Sequence, residues 1–294
     1  MPSVSTAWVA LAAFCWGLSG GLGGLLLAEG WDAFVIAFYR GAIGLFFVLI
    51  WLMLRPQGHG LANHRLWCWA TIAGLGVAGN FAFYFLSIRE GSVVVAAMLM
   101  YCAPVFVFFV SFALGLERAT PFKWCAIAAA MIGIALLTRI YNIDAAGVTP
   151  AGLGAGLLAG MCYALFIFGF KYAAPHGSPQ AILVIAFAVL TSILIWPADT
   201  DQTAAALTTS SWPLFAAIGV LGAGLSFIVY VVGLKYIAPA VAAVVAMVEP
   251  VTAALFGVMV LSENLVGLQI LGMALILVTV TWLSVYSSSA NADR

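Results

Sequence analysis

The sequence predicts an all-α integral membrane protein: ten transmembrane helices forming two inverted five-helix repeats, with both termini cytoplasmic. Three observations predict it: a composition too apolar for water, ten windows long enough to cross a bilayer, and an internal match at a fixed shift. Of the 294 residues, 65% are hydrophobic and 7% charged, and the mean hydropathy is +1.18. A soluble domain carries about 25% charged residues. Ten basic and ten acidic residues cannot coat a water-facing globule of this size, which excludes a soluble enzyme, a nucleic-acid binder and a disordered chain. The zero net charge points to no polyanionic partner. The solvent expected for this chain is the lipid bilayer.

A helix crosses the hydrocarbon core with roughly 20 apolar residues and satisfies its own backbone there. The first window is 8–27. Residues 1–7 hold no Lys or Arg, so the window is expected to stay as a span, not to act as a cleaved leader. Its glycine run, 17–24 (GLSGGLGG), has no following GKS or GKT and reads as close helix packing. The next windows are 33–54, which contains Arg40, then 66–87 and 92–114, the latter with Pro104. The first half closes with 122–139. The second half runs 149–172, 179–197, 212–234, 238–261 with Glu249-Pro250, and 266–286. Linkers at 55–58, 89–91, 175–179 and 199–201 carry Gly, Pro, Asp or charge. The polar tail, 287–294, is expected to fray. No strict alternation of apolar and polar residues competes as a β-barrel. Cys15, Cys68, Cys102, Cys125 and Cys162 sit in apolar stretches and read as buried small hydrophobes. His59, His64 and His176 fall in loops, away from any midplane proton path.

Basic residues set orientation. With the N-terminus inside, Arg55, Arg65, Arg118, Lys123, Lys171, Lys235 and Arg294 lie on the cytoplasmic side, against Arg89 and Arg139 outside. A shift of 146 lays residues 83–117 over 229–263 without a gap. Tyr84 falls on Tyr230, Arg89 on Lys235, Pro104 on Pro250 and Glu117 on Glu263. A shift of 147 lays Cys15-Trp16 over Cys162-Tyr163. Tyr, Pro, Glu and basic residues are scarce here, so their matches carry weight. The division is 1–145 for the first repeat, 146–287 for the second and 288–294 for the tail. Five helices per half is an odd number, so the halves insert in opposite senses. Many secondary transporters use that symmetry, with substrate held between the halves.

Each half opens on an aromatic–small pair, Trp16-Gly17 and Tyr163-Ala164, and later reads Ala, Pro seven residues on, then Glu thirteen beyond (Ala97, Pro104, Glu117; Ala243, Pro250, Glu263). This pattern resembles the EamA repeat of the drug/metabolite transporter superfamily, duplicated to ten helices over nearly the whole chain. Within the superfamily the chain looks most like the YddG-type exporters of aromatic amino acids. The resemblance implies export of small metabolites, chiefly amino acids, across a bacterial inner membrane; with the inverted repeat, the expectation is a secondary transporter of aromatic and other neutral amino acids working by alternating access, a monomer with a dimer as the alternative, and with no cofactor. A same-fold carrier for hydrophobic drugs or sugar derivatives is the alternative. An intramembrane enzyme would need clustered His, Asp or Ser–His groups, which the sequence does not offer, so neither catalytic nor metal-ligating residues are assigned. A channel fits the repeat and the mid-span Glu less well than alternating access does.

Glu249 lies in mid-span and its repeat counterpart is Ala103. An intramembrane carboxylate is costly and marks function by default. It reads as a proton-coupling or substrate-binding group, or as a structural acid beside Pro250. Arg40, whose counterpart is Phe187, has three readings: receiving a substrate carboxylate, pairing with Glu249, or snorkelling to the headgroups. Trp16, Tyr84, Tyr101, Tyr163 and Tyr230 lie deeper than an interfacial belt, and each polar tip needs a partner. Asn80 and Ser226 each stand one turn before a Tyr, at positions 84 and 230, on the same helix face. Together with Glu249 these seven residues form the candidate substrate wall. Pro104 and Pro250 are the expected hinges. Glu117 and Glu263 read as structural helix ends.

Overall fold

The computed structural model describes residues 2–54, 58–116, 120–142 and 149–292. The roles expected of Arg55, Glu117, Arg118 and Arg294 therefore lie outside the described residues. Among the described residues the chain is helical and has no strand. The helices are α1 (Pro2–Ala28), α2 (Ala33–Leu54), α3 (His64–Arg89), α4 (Val93–Met100), α5 (Ala103–Ala113), α6 (Pro121–Leu137), α7 (Pro150–Ala173), α8 (Pro179–Leu194), α9 (Thr200–Ala205), α10 (Trp212–Gly219), α11 (Ser226–Leu234), α12 (Pro239–Val245), α13 (Val248–Val260) and α14 (Gly267–Ala292). A π-helical segment, Val220–Leu225, joins α10 to α11. Seven helical stretches are long and apolar enough to cross a membrane, and Pro121–Leu137, Pro179–Leu194 and Gly267–Leu283 are shorter apolar helices.

Local chemistry places the helix starts. The side chains of Asn63, Ser92, Thr120, Thr149, Ser178 and Asp199 each accept from a backbone amide of the first turn that follows, satisfying donors a helix leaves free. Proline occupies the first helical position of α6, α7 and α8, where its missing N–H costs nothing. At the C-terminal end α14 runs on to Ala292.

The windows 92–114 and 238–261 are each two helices. The first breaks at Tyr101–Cys102 and the second at Ala246–Met247. Pro104 and Pro250 follow each break within three residues. A proline removes one N–H and crowds the carbonyl four residues back; those carbonyls belong to Met100 and Ala246, where α4 and α12 stop. Each of these two expected single spans is therefore broken near its proline, at the positions expected to act as hinges.

Helix α3 packs most extensively on α7, and α6 on α14, α2 on α8, and α1 on α11 and α13. Small residues let these backbones touch. A Cβ at Gly76 would lie 2.6 Å from the Phe166 amide nitrogen and 2.9 Å from the Cys162 carbonyl oxygen, and one at Gly169 would lie 2.6 Å from the Ala73 nitrogen. Backbone atoms cannot swing aside. Gly76→Leu is expected to cost at least about 2 kcal/mol, read as a lower midpoint of thermal unfolding. An unchanged midpoint would show that α3 and α7 part freely. The expectation for the cysteines needs correction. Cys15 is buried, but Cys102 and Cys162 are half-buried, and Cys68 and Cys125 are exposed, because they occupy the outward faces of α3 and α6.

Candidate functional site

A cavity of about 540 Å³ lies between α1, α2, α3, α4, α7, α10, α11 and α13. It reaches the surface at Arg89, whose side chain is 75% exposed, beside Leu27, Asp32, Ile88 and Val93 at the helix ends. We call this end the mouth. The floor is Trp16, Tyr163, Phe166, Phe227 and Glu249, and Phe81, Tyr84 and Phe85 form one wall.

The two helix breaks meet at one carboxyl. Glu249 stands in the first turn of α13, where free amides and the helix dipole favour an anion. The Tyr163 hydroxyl donates to its Oε2 at 3.2 Å. Tyr101, the residue at which α4 ends, lines the cavity beside the same carboxyl, and its hydroxyl interacts with it. Helix α1 presses on this point through Gly17, where a Cβ would lie 2.5 Å from the Glu249 carbonyl oxygen. The carboxyl is thus held by a hydroxyl from α7 and faced by one from the other repeat's break.

Arg40 neither snorkels nor joins Glu249. Its Nε and Nη2 donate to the Gly222 carbonyl oxygen at 3.1 and 2.8 Å, and its guanidinium lies 5.2 Å from the centre of the Phe81 ring, a cation–π distance. Gly222 belongs to the π-helical segment, a rare conformation that often marks functional sites. Among the described residues Arg40 and Glu249 form no ion pair, although both line the cavity and their charges act on each other. A carbonyl does not neutralise a guanidinium, and two tyrosine hydroxyls do not neutralise a carboxylate. The cavity therefore holds a guanidinium and a carboxyl that no ion pair among the described residues joins, walled by aromatic rings.

Of the residues expected at the site, Trp16, Arg40, Asn80, Tyr84, Tyr101, Tyr163 and Glu249 line the cavity. Asn80 also donates to the Ala159 carbonyl oxygen at 3.0 Å, tying α3 to α7. Ser226 and Tyr230 do not reach it. Both are fully buried below the floor, where the Tyr230 ring packs 4.9 Å from Trp16. Their hydroxyls have no hydrogen-bond partner among the described residues, nor do the Trp16 indole N–H and the Ser19 hydroxyl. Ser19 also lines the cavity, a residue outside the expected set. Its signal in the sequence is its position three residues after Trp16, on the same helix face. Glu263 is exposed beyond α13, its amide donating to the Gly257 carbonyl oxygen at 3.1 Å.

Comparison with known proteins gives the same assignment for both halves. The chain matches the EamA-like transporter family twice, over residues 4–139 and 150–285. It is 30% identical over 217 residues to an uncharacterized transporter of Archaeoglobus fulgidus, covering 72% of this chain and 76% of that protein. The transporter YwfM of Bacillus subtilis, also uncharacterized, is 26% identical over 284 residues, covering 94% of this chain and 92% of YwfM. The threonine/homoserine exporter RhtA of Salmonella typhimurium is 28% identical over 206 residues, 69% of this chain and 66% of RhtA. One solved crystal structure superposes with a TM-score of 0.76 at 17% identity, covering 98% of this chain and 99% of the other; at that identity the likeness shows the fold. The chain belongs to the EamA-like transporter family.

Proposed function

We propose that the protein is a ten-span secondary transporter that exports neutral amino acids, aromatic ones foremost, across a bacterial inner membrane by alternating access. The observation that carries this reading is the pair of unmated charges, Arg40 and Glu249, in one aromatic cavity. A zwitterion is the ligand that satisfies both at once: its carboxylate goes to Arg40, its ammonium to Glu249, and its side chain to the rings. A neutral drug would leave two charges buried and unpaired, which is costly. A sugar phosphate would demand more cations than this lining holds. The likeness to the RhtA exporter supports an amino acid cargo and the outward direction.

The seven long and three shorter apolar helices support ten spans, and the double family match supports two repeats, 1–145 and 146–287. The surplus of basic residues at one end supports cytoplasmic termini. In that orientation the mouth faces outward. A monomer contains the whole cavity, which supports a monomeric carrier.

Saturable counterflow of labelled phenylalanine into proteoliposomes, suppressed by tryptophan, tyrosine and methionine, is the expected result. No exchange of any amino acid by folded protein would discard the cargo and keep the family. Trp16 supplies the floor's largest ring, so Trp16→Ala is expected to weaken phenylalanine and tryptophan roughly three- to tenfold more than threonine. Equal losses for both cargoes, measured as competition constants, would assign Trp16 to packing.

A further inference from the structure

At the end opposite the mouth, α7 and α11 are closed on each other. The Phe170 ring meets the Tyr230 ring edge-on, with centroids 6.3 Å apart. The next residue, Lys171, donates from Nζ to the carbonyl oxygens of Leu234 at 2.9 Å, Lys235 at 3.0 Å and Ile237 at 2.6 Å. One ammonium thus spans the last carbonyl of α11 and two just beyond it, where the helix dipole is negative and acceptors are free.

The repeat carries this contact to the other end of the molecule. A shift of 147 takes Phe170 to Gly23 and Lys171 to Gly24, and a shift of 146 takes Tyr230 to Tyr84, Leu234 to Ile88 and Lys235 to Arg89. All five counterparts line the cavity toward its mouth, where a Cβ on Gly24 would have no neighbour within 4 Å. The same pair of elements is therefore shut at one end and parted at the other. The orphaned hydroxyls agree. Ser226 and Tyr230 are buried without a hydrogen-bond partner among the described residues, whereas their counterparts, Asn80 and Tyr84, face the cavity. An unsatisfied buried hydroxyl destabilises the closed arrangement, so something else must hold it.

We infer that Lys171 is the bolt of the closed end, and that breaking these three hydrogen bonds brings Ser226 and Tyr230 into the cavity wall of an opposite-facing form. Gly24 can supply no such bolt at the mouth, so the mouth-open form is the resting one. The inference rests on the alternating-access reading but not on any particular cargo.

The test needs no substrate and no knowledge of membrane orientation. The five native cysteines are replaced by alanine. Ser226→Cys then reports the closed end and Ile88→Cys the mouth, each by its rate of thiol labelling in detergent. With Lys171 present, Cys at 88 is expected to label fast and Cys at 226 slowly. Lys171→Met should raise labelling at 226 by about tenfold or more and lower it at 88. Lys171→Gln, which keeps a donor without the charge, should shift both in the same directions by less, and serves if the methionine variant does not assemble. Lys171→Arg should restore the original pattern in part. Faster labelling at both positions would mean general loosening and would overturn the inference, as would unchanged rates. Failure of amino acid counterflow alongside the reciprocal shift would leave the bolt standing and remove only the cargo.

Discussion

Glu249→Gln is expected to reduce phenylalanine exchange at least about thirtyfold. The variant keeps the shape and the Tyr163 and Tyr101 contacts but has no charge to meet an ammonium group. Removing one partner of a buried, hydrogen-bonded charge pair costs about 2–5 kcal/mol, and each 1.4 kcal/mol is tenfold. The loss should be absent for hydrocinnamate, which has the same ring and carboxylate without the amine. Any dependence of transport on a pH gradient should vanish in the same variant, since no other described carboxyl lines the cavity floor. Unchanged affinity for phenylalanine, measured by counterflow in folded protein, would assign Glu249 to holding the break in its helix.

Arg40→Met should give a loss of similar size with the opposite selectivity. Phenylalanine is expected to weaken at least about thirtyfold, and phenethylamine, which lacks the carboxylate, by much less. The substitution also leaves the Gly222 carbonyl without its two donors, so a lower thermal midpoint should accompany it. The ratio of the two losses separates the roles. Equal losses for phenylalanine and phenethylamine would make Arg40 a clamp on the π-helical segment and nothing more.

Much of the helix pattern is legible in the sequence, because a bilayer demands long apolar runs and punctuates them with Gly, Pro and charge. The chain's own periodicity hides the rest. Residues 92–114 and 238–261 are apolar almost throughout, with Glu249 the one charged residue in either window, so their hydropathy does not separate two short helices from one long one. Pro104 and Pro250 mark the places but not the extent of the interruption. The π-helical Val220–Leu225 reads VLGAGL, and the matching residues 74–79 read GLGVAG within the continuous α3; composition cannot tell the two apart. Glu249 stands out as the acid in mid-span, and its first-turn position at the break explains how the fold tolerates it. Arg40 is equally visible, but its partner is a main-chain carbonyl with no signature. Ser226 and Tyr230 show the deeper limit. The repeat makes them equivalent to Asn80 and Tyr84, and equivalence in sequence is what a two-state carrier requires. Only the structure tells which member of each pair faces the cavity.

The central claim is that one cavity binds a zwitterion by both of its charges. The most direct test is counterflow of labelled phenylalanine in proteoliposomes, challenged in turn with tryptophan, methionine, threonine, phenethylamine and hydrocinnamate. The account predicts saturable exchange that the intact amino acids suppress, with tryptophan and methionine ahead of threonine, and that both one-charge analogues suppress at least about tenfold more weakly than unlabelled phenylalanine. Suppression by phenethylamine or hydrocinnamate as strong as that by phenylalanine would contradict it.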